Sequence, residues 1–200
     1  MIYEVIRAAF VPLGFLFISL LVVLYLRIYR FSDRTAYDVA AYLRPVDLEQ
    51  VRDLLSPEPE QYLRLNLAAA QFKTLQRKRI HLGLEHIGRL AHNAGVLRGW
   101  GRYELRRGQR TRDRKARRAS RELVSAGVQC QILGLVLRLK LHVWLFRMAL
   151  FPFLPAPRFA SLLRLGSVDL PAFYEKTKAA ATELSRIYGP EYHERLVQVL

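Results

Sequence analysis

The longest uncharged run in the chain is Ala8 to Leu26, AAFVPLGFLFISLLVVLYL, nineteen residues. At 1.5 Å rise per residue such a run covers roughly the ~30 Å hydrocarbon core of a bilayer, which predicts a single transmembrane helix within an anchor spanning residues 1–30. Pro12 and Gly14 would end a soluble helix but are tolerated in a span, and Tyr3, Tyr25 and Tyr29 fall near its two ends, where amphipathic rings prefer to sit. A cleaved leader does not fit. The run exceeds the ~7 to 15 residues of a leader's apolar region and is followed by Leu26-Arg27-Ile28-Tyr29-Arg30, not by a small-x-small site. Arg7 alone precedes the run, whereas Arg27, Arg30, Arg34 and Arg44 follow it, so the positive-inside rule expects the N-terminus outside and the rest in the cytoplasm.

Beyond the anchor the pattern is helical. Asp47 stands as an N-cap with Gln50 at N3 to close a capping box and a Val46 to Val51 staple, which predicts a short helix to about Leu55. Ser56-Pro57-Glu58-Pro59-Glu60 then supplies a second cap, prolines confined to a first turn and two acids at the positive end of the dipole. A long helix is expected from there to about Leu97. Its apolar positions Leu65, Ala68, Phe72 and Leu75, then Ile80, Leu84, Ile87, Ala91 and Ala94, shift phase near Gln76 to Arg79, which predicts a bend or two stacked helices there. Gly95, Gly99 and Gly101 are expected to end it. Asp169 or Ser167 caps a further helix bearing Leu170, Phe173, Ala180, Leu184, Ile187 and Tyr188, stopped by Gly189-Pro190, and a last short helix carries Tyr192, Leu196 and Val199.

Residues 121–151 are ambiguous. Leu137 to Val143, LRLKLHV, alternates as a strand would, yet Leu133, Leu137, Leu141 and Leu145 also form an i, i+4 row. Helix is favoured because Leu is a good helix former, the run is long and no partner strand is evident. A second span over 132–151 is disfavoured. Arg138, Lys140 and Arg147 would cost ~8 to 10 kcal/mol near a helix centre, against ~6 kcal/mol from the apolar residues. A helix in the core, or one in the membrane interface with its bases snorkelling, fits better. The expected fold is therefore mainly α: a single transmembrane helix followed by a cytoplasmic helical bundle or hairpin, divided into 1–30, 31–97, 98–121 and 122–200.

Charge sharpens that division. The 200 residues carry 32 Lys plus Arg against 17 Asp plus Glu, a net +15, yet are 52% hydrophobic. Residues 1–63 hold six bases and eight acids, residues 64–121 seventeen and three, and residues 122–200 nine and six, so the middle third holds nearly all the net charge. Its densest part comprises Arg98, Arg102, Arg106, Arg107, Arg110, Arg112, Arg114, Lys115, Arg117, Arg118 and Arg121, with only Glu104 and Asp113 as acids. Such density suits a polyanion: anionic headgroups, an acidic protein surface or nucleic acid. Nucleic acid would be favoured by stacking aromatics among the bases, and Trp100 and Tyr103 are the only ones.

Catalytic patterns are lacking. There is no phosphate loop, nucleophile elbow or HExxH, and the one cysteine, Cys130, excludes an intramolecular disulfide framework and a Cys-based zinc finger. His81, Glu85 and His92 share one helical stripe as weak metal candidates, but His92 lies seven residues beyond Glu85, ~10.5 Å along the axis, too far for one ion. Pairing of Glu85 with His81 or Arg89 is the plainer expectation. Gly88, Ala91 and Gly95 form a small-residue stripe suited to close helix approach, within this chain or from a partner. Together these features lead us to expect no cofactor and a non-catalytic accessory or scaffold role at the membrane, with a protein partner or homo-oligomer. A tethered nucleic-acid binder and a metal-dependent membrane enzyme are the alternatives.

Overall fold

A computed structural model describes residues 36–111, 114–151, 153–159 and 169–200, and all its described elements are helices. The expected anchor at Ala8 to Leu26 lies outside the described residues. Among those that are described, no helix is long and apolar enough to cross a membrane, the segment 132–151 included.

The helices run in the order α1 (Ala36–Tyr42), α2 (Leu48–Leu55), α3 (Pro57–Asn66), α4 (Ala69–Thr111), α5 (Arg114–Leu150), α6 (Leu170–Ser185), a 3-10 turn (Arg186–Tyr188) and α7 (Pro190–Val199). Local chemistry sets their starts. Asp47 accepts from the Gln50 amide at 3.0 Å, Ser56 from the Glu58 amide at 3.4 Å, and Asp169 from the Ala172 amide at 3.1 Å. Val51 is buried and Val46 packs against the same core, so both halves of the staple are inside. Gly189, at φ +98°, turns the chain into α7 in a conformation that disfavours a side chain.

Helices α4 and α5 form an antiparallel hairpin, at 43 and 37 residues roughly 65 and 55 Å long. Register is read from close contacts. A Cβ placed on Gly134 would lie 3.1 Å from the Ala91 Cβ, and one on Gly101 would lie 3.2 Å from Leu123 Cγ. Tightest is Gly127, where a Cβ would meet the Arg98 Cβ at 2.9 Å and the Ala94 carbonyl oxygen at 3.0 Å. Helix α6 lies along the hairpin and joins two cores. One holds Val51, Ile80, Ile87, Leu90, Leu137, Leu141, Trp144, Phe159 and Tyr174; the other holds Val39, Leu97, Trp100, Leu123, Leu184 and Leu196.

Two expectations are corrected here. Gly95, Gly99 and Gly101 do not end α4, which runs on to Thr111; all three are buried, and at Gly101 the missing side chain admits α5. The basic stretch 98–121 is accordingly helical on both sides of the hairpin tip. The break between the third and fourth helices falls at Leu67, in an extended conformation, not near Gln76 to Arg79. Through that region the buried stripe continues unbroken as Phe72, Gln76, Ile80, Ile87 and Leu90, and the apparent phase shift arises because Gln76 and Arg79, both polar, occupy inward positions. The helix favoured for Leu137 to Val143 is the one observed, within α5, and the strand alternative falls away.

Candidate functional site

The closed end of the hairpin gathers most of the predicted basic residues. Arg106 and Arg107 on α4, and Arg114, Lys115, Arg118 and Arg121 on α5, are exposed; Arg102 and Arg117 are half-buried. Arg110 lies in α4, and Arg112 falls outside the described residues. Arg98 departs from the expectation. It is 1% exposed, its backbone is pressed against Gly127, and burial, aided by the neighbouring Arg102, pushes its guanidinium down to about 10. It is an interior residue of the hairpin, out of reach of a surface polyanion.

Behind the tip sits an aromatic cluster. The Trp100 ring lies 6.1 Å from Tyr188 and 6.0 Å from Tyr192, and buried Glu104 accepts a hydrogen bond from Tyr188. Burial first, then Glu104, by hydrogen bond and charge at Tyr188 and by charge at Tyr192, raises both tyrosines above their usual range. Trp100 is thus fully enclosed, which removes it as a platform on which a nucleobase could stack.

The metal candidates do not converge. Glu85 pairs with Arg89 one turn on, His92 Nε2 lies 3.1 Å from the Tyr42 carbonyl oxygen, and His81 is exposed. Among the described residues no group of three or more His, Cys, Asp or Glu could hold a metal ion. The Gly88, Ala91, Gly95 stripe acts within the chain at Ala91, against Gly134, while a Cβ placed on Gly88 would meet nothing within 4 Å.

The segment 132–151, expected either in the core or in the membrane interface, has a face of each kind. Helix α5 carries two apolar rows: Leu137, Leu141, Trp144 and Met148 are buried, but Ile132, Val136, Leu139, Val143, Phe146 and Leu150 are exposed. The exposed six recur at intervals of three and four, within about 40° of one line along the helix. Val143 is 55% and Phe146 65% exposed, and Phe153, just past the helix end, is 79% exposed. Toward the tip the same line continues as Ser125, Arg121, Arg118 and Arg114, all exposed. One face of α5 therefore reads basic at its start and apolar over its last five turns. Segment 132–151 carries apolar rows on two opposite sides of the helix, with Arg138, Lys140, His142 and Arg147 between them, so more apolar surface is present than one core contact can use.

Comparison with known protein families, with curated proteins and with solved structures finds no match to this chain.

Proposed function

We propose that this is a non-catalytic, membrane-anchored accessory or scaffold protein that docks onto the anionic inner leaflet, or onto a complex held there, through its helical hairpin. The observation that carries this reading is the tip, where Arg106, Arg107, Arg114, Lys115, Arg118 and Arg121 are exposed together across two adjoining helix ends. The salt bridge of Arg118 to Glu122 at 3.0 Å, with side chains 85% and 57% exposed, neutralises little of that field. The expected anchor at Ala8 to Leu26 would hold this basic surface next to headgroups, where each base contributes about 1 kcal/mol.

Binding of the full chain in mild detergent to vesicles of anionic and of neutral lipid, across a salt series, tests the reading. Replacing Arg106, Arg107, Arg118 and Arg121 with Gln removes four such contributions and is expected to weaken anionic-vesicle binding by roughly 10³-fold at low salt. The reading fails if wild type and variant bind equally, salt has no effect, and the solubilised protein is a monomer without stoichiometric partners.

A further inference from the structure

We propose that the exposed apolar row of α5, from Ile132 to Leu150 and continuing to Phe151 and Phe153, is seated in the headgroup–acyl boundary of a lipid bilayer, with the helix lying along the membrane surface. This rests on the membrane reading above and deepens it by assigning the lipid-facing surface.

Charge is the first argument. Between Glu122 and Asp169 the chain has no acidic residue, while Arg138, Lys140, Arg147, Arg158 and Arg164 fall within that stretch. On α5 Lys140 and Arg147 stand about 60 to 80° to one side of the exposed row, Arg147 also donating to the Pro155 carbonyl oxygen at 2.9 Å, with His142 about 80° to the other side and Arg138 further round at about 120°. That is the layout of an interfacial helix: aliphatic and Phe side chains below, and long basic stems at the flanks reaching phosphates. A second copy of the chain would meet these bases with the same bases and no acids.

Side-chain size is the second argument. Where α5 meets α4 the contact is made through Gly127, Gly134 and Ala91. The exposed row has no small residue at its six positions, only Ile, Val, Leu and Phe. Close helix pairing favours small residues, whereas fluid acyl chains accept large ones.

Position is the third argument. α1, where the described chain begins, packs against the middle of α4, with the Arg44 amide donating to Asn93 Oδ1 at 2.9 Å. At the same level of the hairpin the Gln131 amide reaches the Ala91 carbonyl oxygen, and Ile132 opens the apolar row. Ten residue steps separate Leu26 from Ala36, at most about 36 Å of chain, so an anchor ending at Leu26 keeps the start of the row within reach of the bilayer.

The test uses the full chain in proteoliposomes, with an environment-sensitive fluorophore on Phe146→Cys and, as a solvent-facing control, on Glu175→Cys in α6. Native Cys130 is buried, with its thiol pushed up to about 12, and stays unlabelled in the folded protein. Nitroxide-bearing lipids are expected to quench the Phe146 probe, and iodide to quench it about tenfold less than the control. This shielding should persist in neutral lipid and at about 0.5 M salt, where tip binding is screened, so failure of the tip reading and failure of this one are distinguishable. A second variant, Val143→Asp with Leu150→Asp, alters only exposed positions; with helicity retained by circular dichroism, it should return the Phe146 probe to iodide. Equal iodide access for the two probes in the otherwise unaltered chain would overturn the proposal. So would cross-linking of Phe146→Cys to residues 8–26 or to a second copy.

Discussion

Glu58 and Glu60 occupy the same first turn of α3, and by dipole arguments alone they are equivalent; the structure makes them very different. Glu60 is 4% exposed, its Oε1 accepts from Gln76 Nε2 at 3.0 Å and its Oε2 from the Phe159 amide at 2.7 Å. Gln76 Nε2 also donates to the Pro157 carbonyl oxygen at 2.9 Å, so the pair clips residues 157–159 onto α4. Buried Arg79, donating to the Leu54 carbonyl oxygen at 3.0 Å, lies beside them, and the Glu60 charge offsets part of its desolvation. In Glu60→Gln the amide can accept from only one of the two donors, and its NH2 must face the other. One buried donor left unmatched costs about 1 to 3 kcal/mol, to which weaker compensation of Arg79 adds. About 2 kcal/mol corresponds to roughly 30-fold faster hydrogen exchange in peptides covering 153–159, if exchange follows local opening. Glu58→Gln, exposed, loses only a dipole contribution of about 0.5 kcal/mol, a two- to threefold effect. Equal exchange in the two variants would refute the clip.

Gly127 and Gly88 should respond oppositely to a side chain. Gly127→Leu forces atoms into the 2.9 Å approach of Arg98 and is expected to destabilise by about 1 to 3 kcal/mol or more, whereas Gly88→Ala meets nothing within 4 Å and should stabilise by up to about 1 kcal/mol, both read by thermal unfolding. Alkaline pH should weaken the fold through Tyr174, whose hydroxyl is pushed up to about 12, mainly by burial, against an ordinary value of 10. Between pH 10 and 12 the folded state holds a proton the unfolded state has lost, so the stabilisation is full below pH 10 and disappears as pH rises through 12. Arg98 acts in the opposite direction, and Tyr188 and Tyr192 in the same one, so the measurement is the difference between wild type and Tyr174→Phe. The wild type should lose roughly 2 to 3 kcal/mol more over that window, and parallel profiles would exclude the effect.

Helix starts were legible because their signals are local: Asp47, Ser56 and Asp169 each need only an amide two or three residues ahead. The hairpin was not, because its determinants are tertiary. A glycine that ends a helix and one that admits a neighbour look alike in sequence, and only packing against Leu123 tells which Gly101 is. Buried polar residues hid the rest. Gln76, Arg79, His86 and Asn93 all occupy inward positions on α4, so its hydrophobic period looked broken although the buried stripe is continuous. Asn93 shows why such residues are tolerated inside: its amide donates to the Arg44 carbonyl oxygen at 2.8 Å and contacts the Tyr174 hydroxyl at 2.9 Å. Of the candidate site, the tip was legible as a density of Arg, but the burial of Arg98 was not.

The alternation of Leu137, Leu139, Leu141 and Val143 has the same origin as the exposed apolar row. Leu137 and Leu141 belong to the buried row of α5, Leu139 and Val143 to the exposed one, and two helical rows superimposed mimic a period of two. A helix with one apolar face cannot produce that pattern, so the mimicry itself signals a second face in need of a partner. Because that face is collinear with Arg114, Arg118 and Arg121 on a single helix about 55 Å long, one flat surface can meet both at once. Such a surface must offer anions along its whole length and hydrocarbon just beneath them at one end. A bilayer offers both everywhere, so the basic tip and the apolar row place no conflicting demand on the orientation of the hairpin.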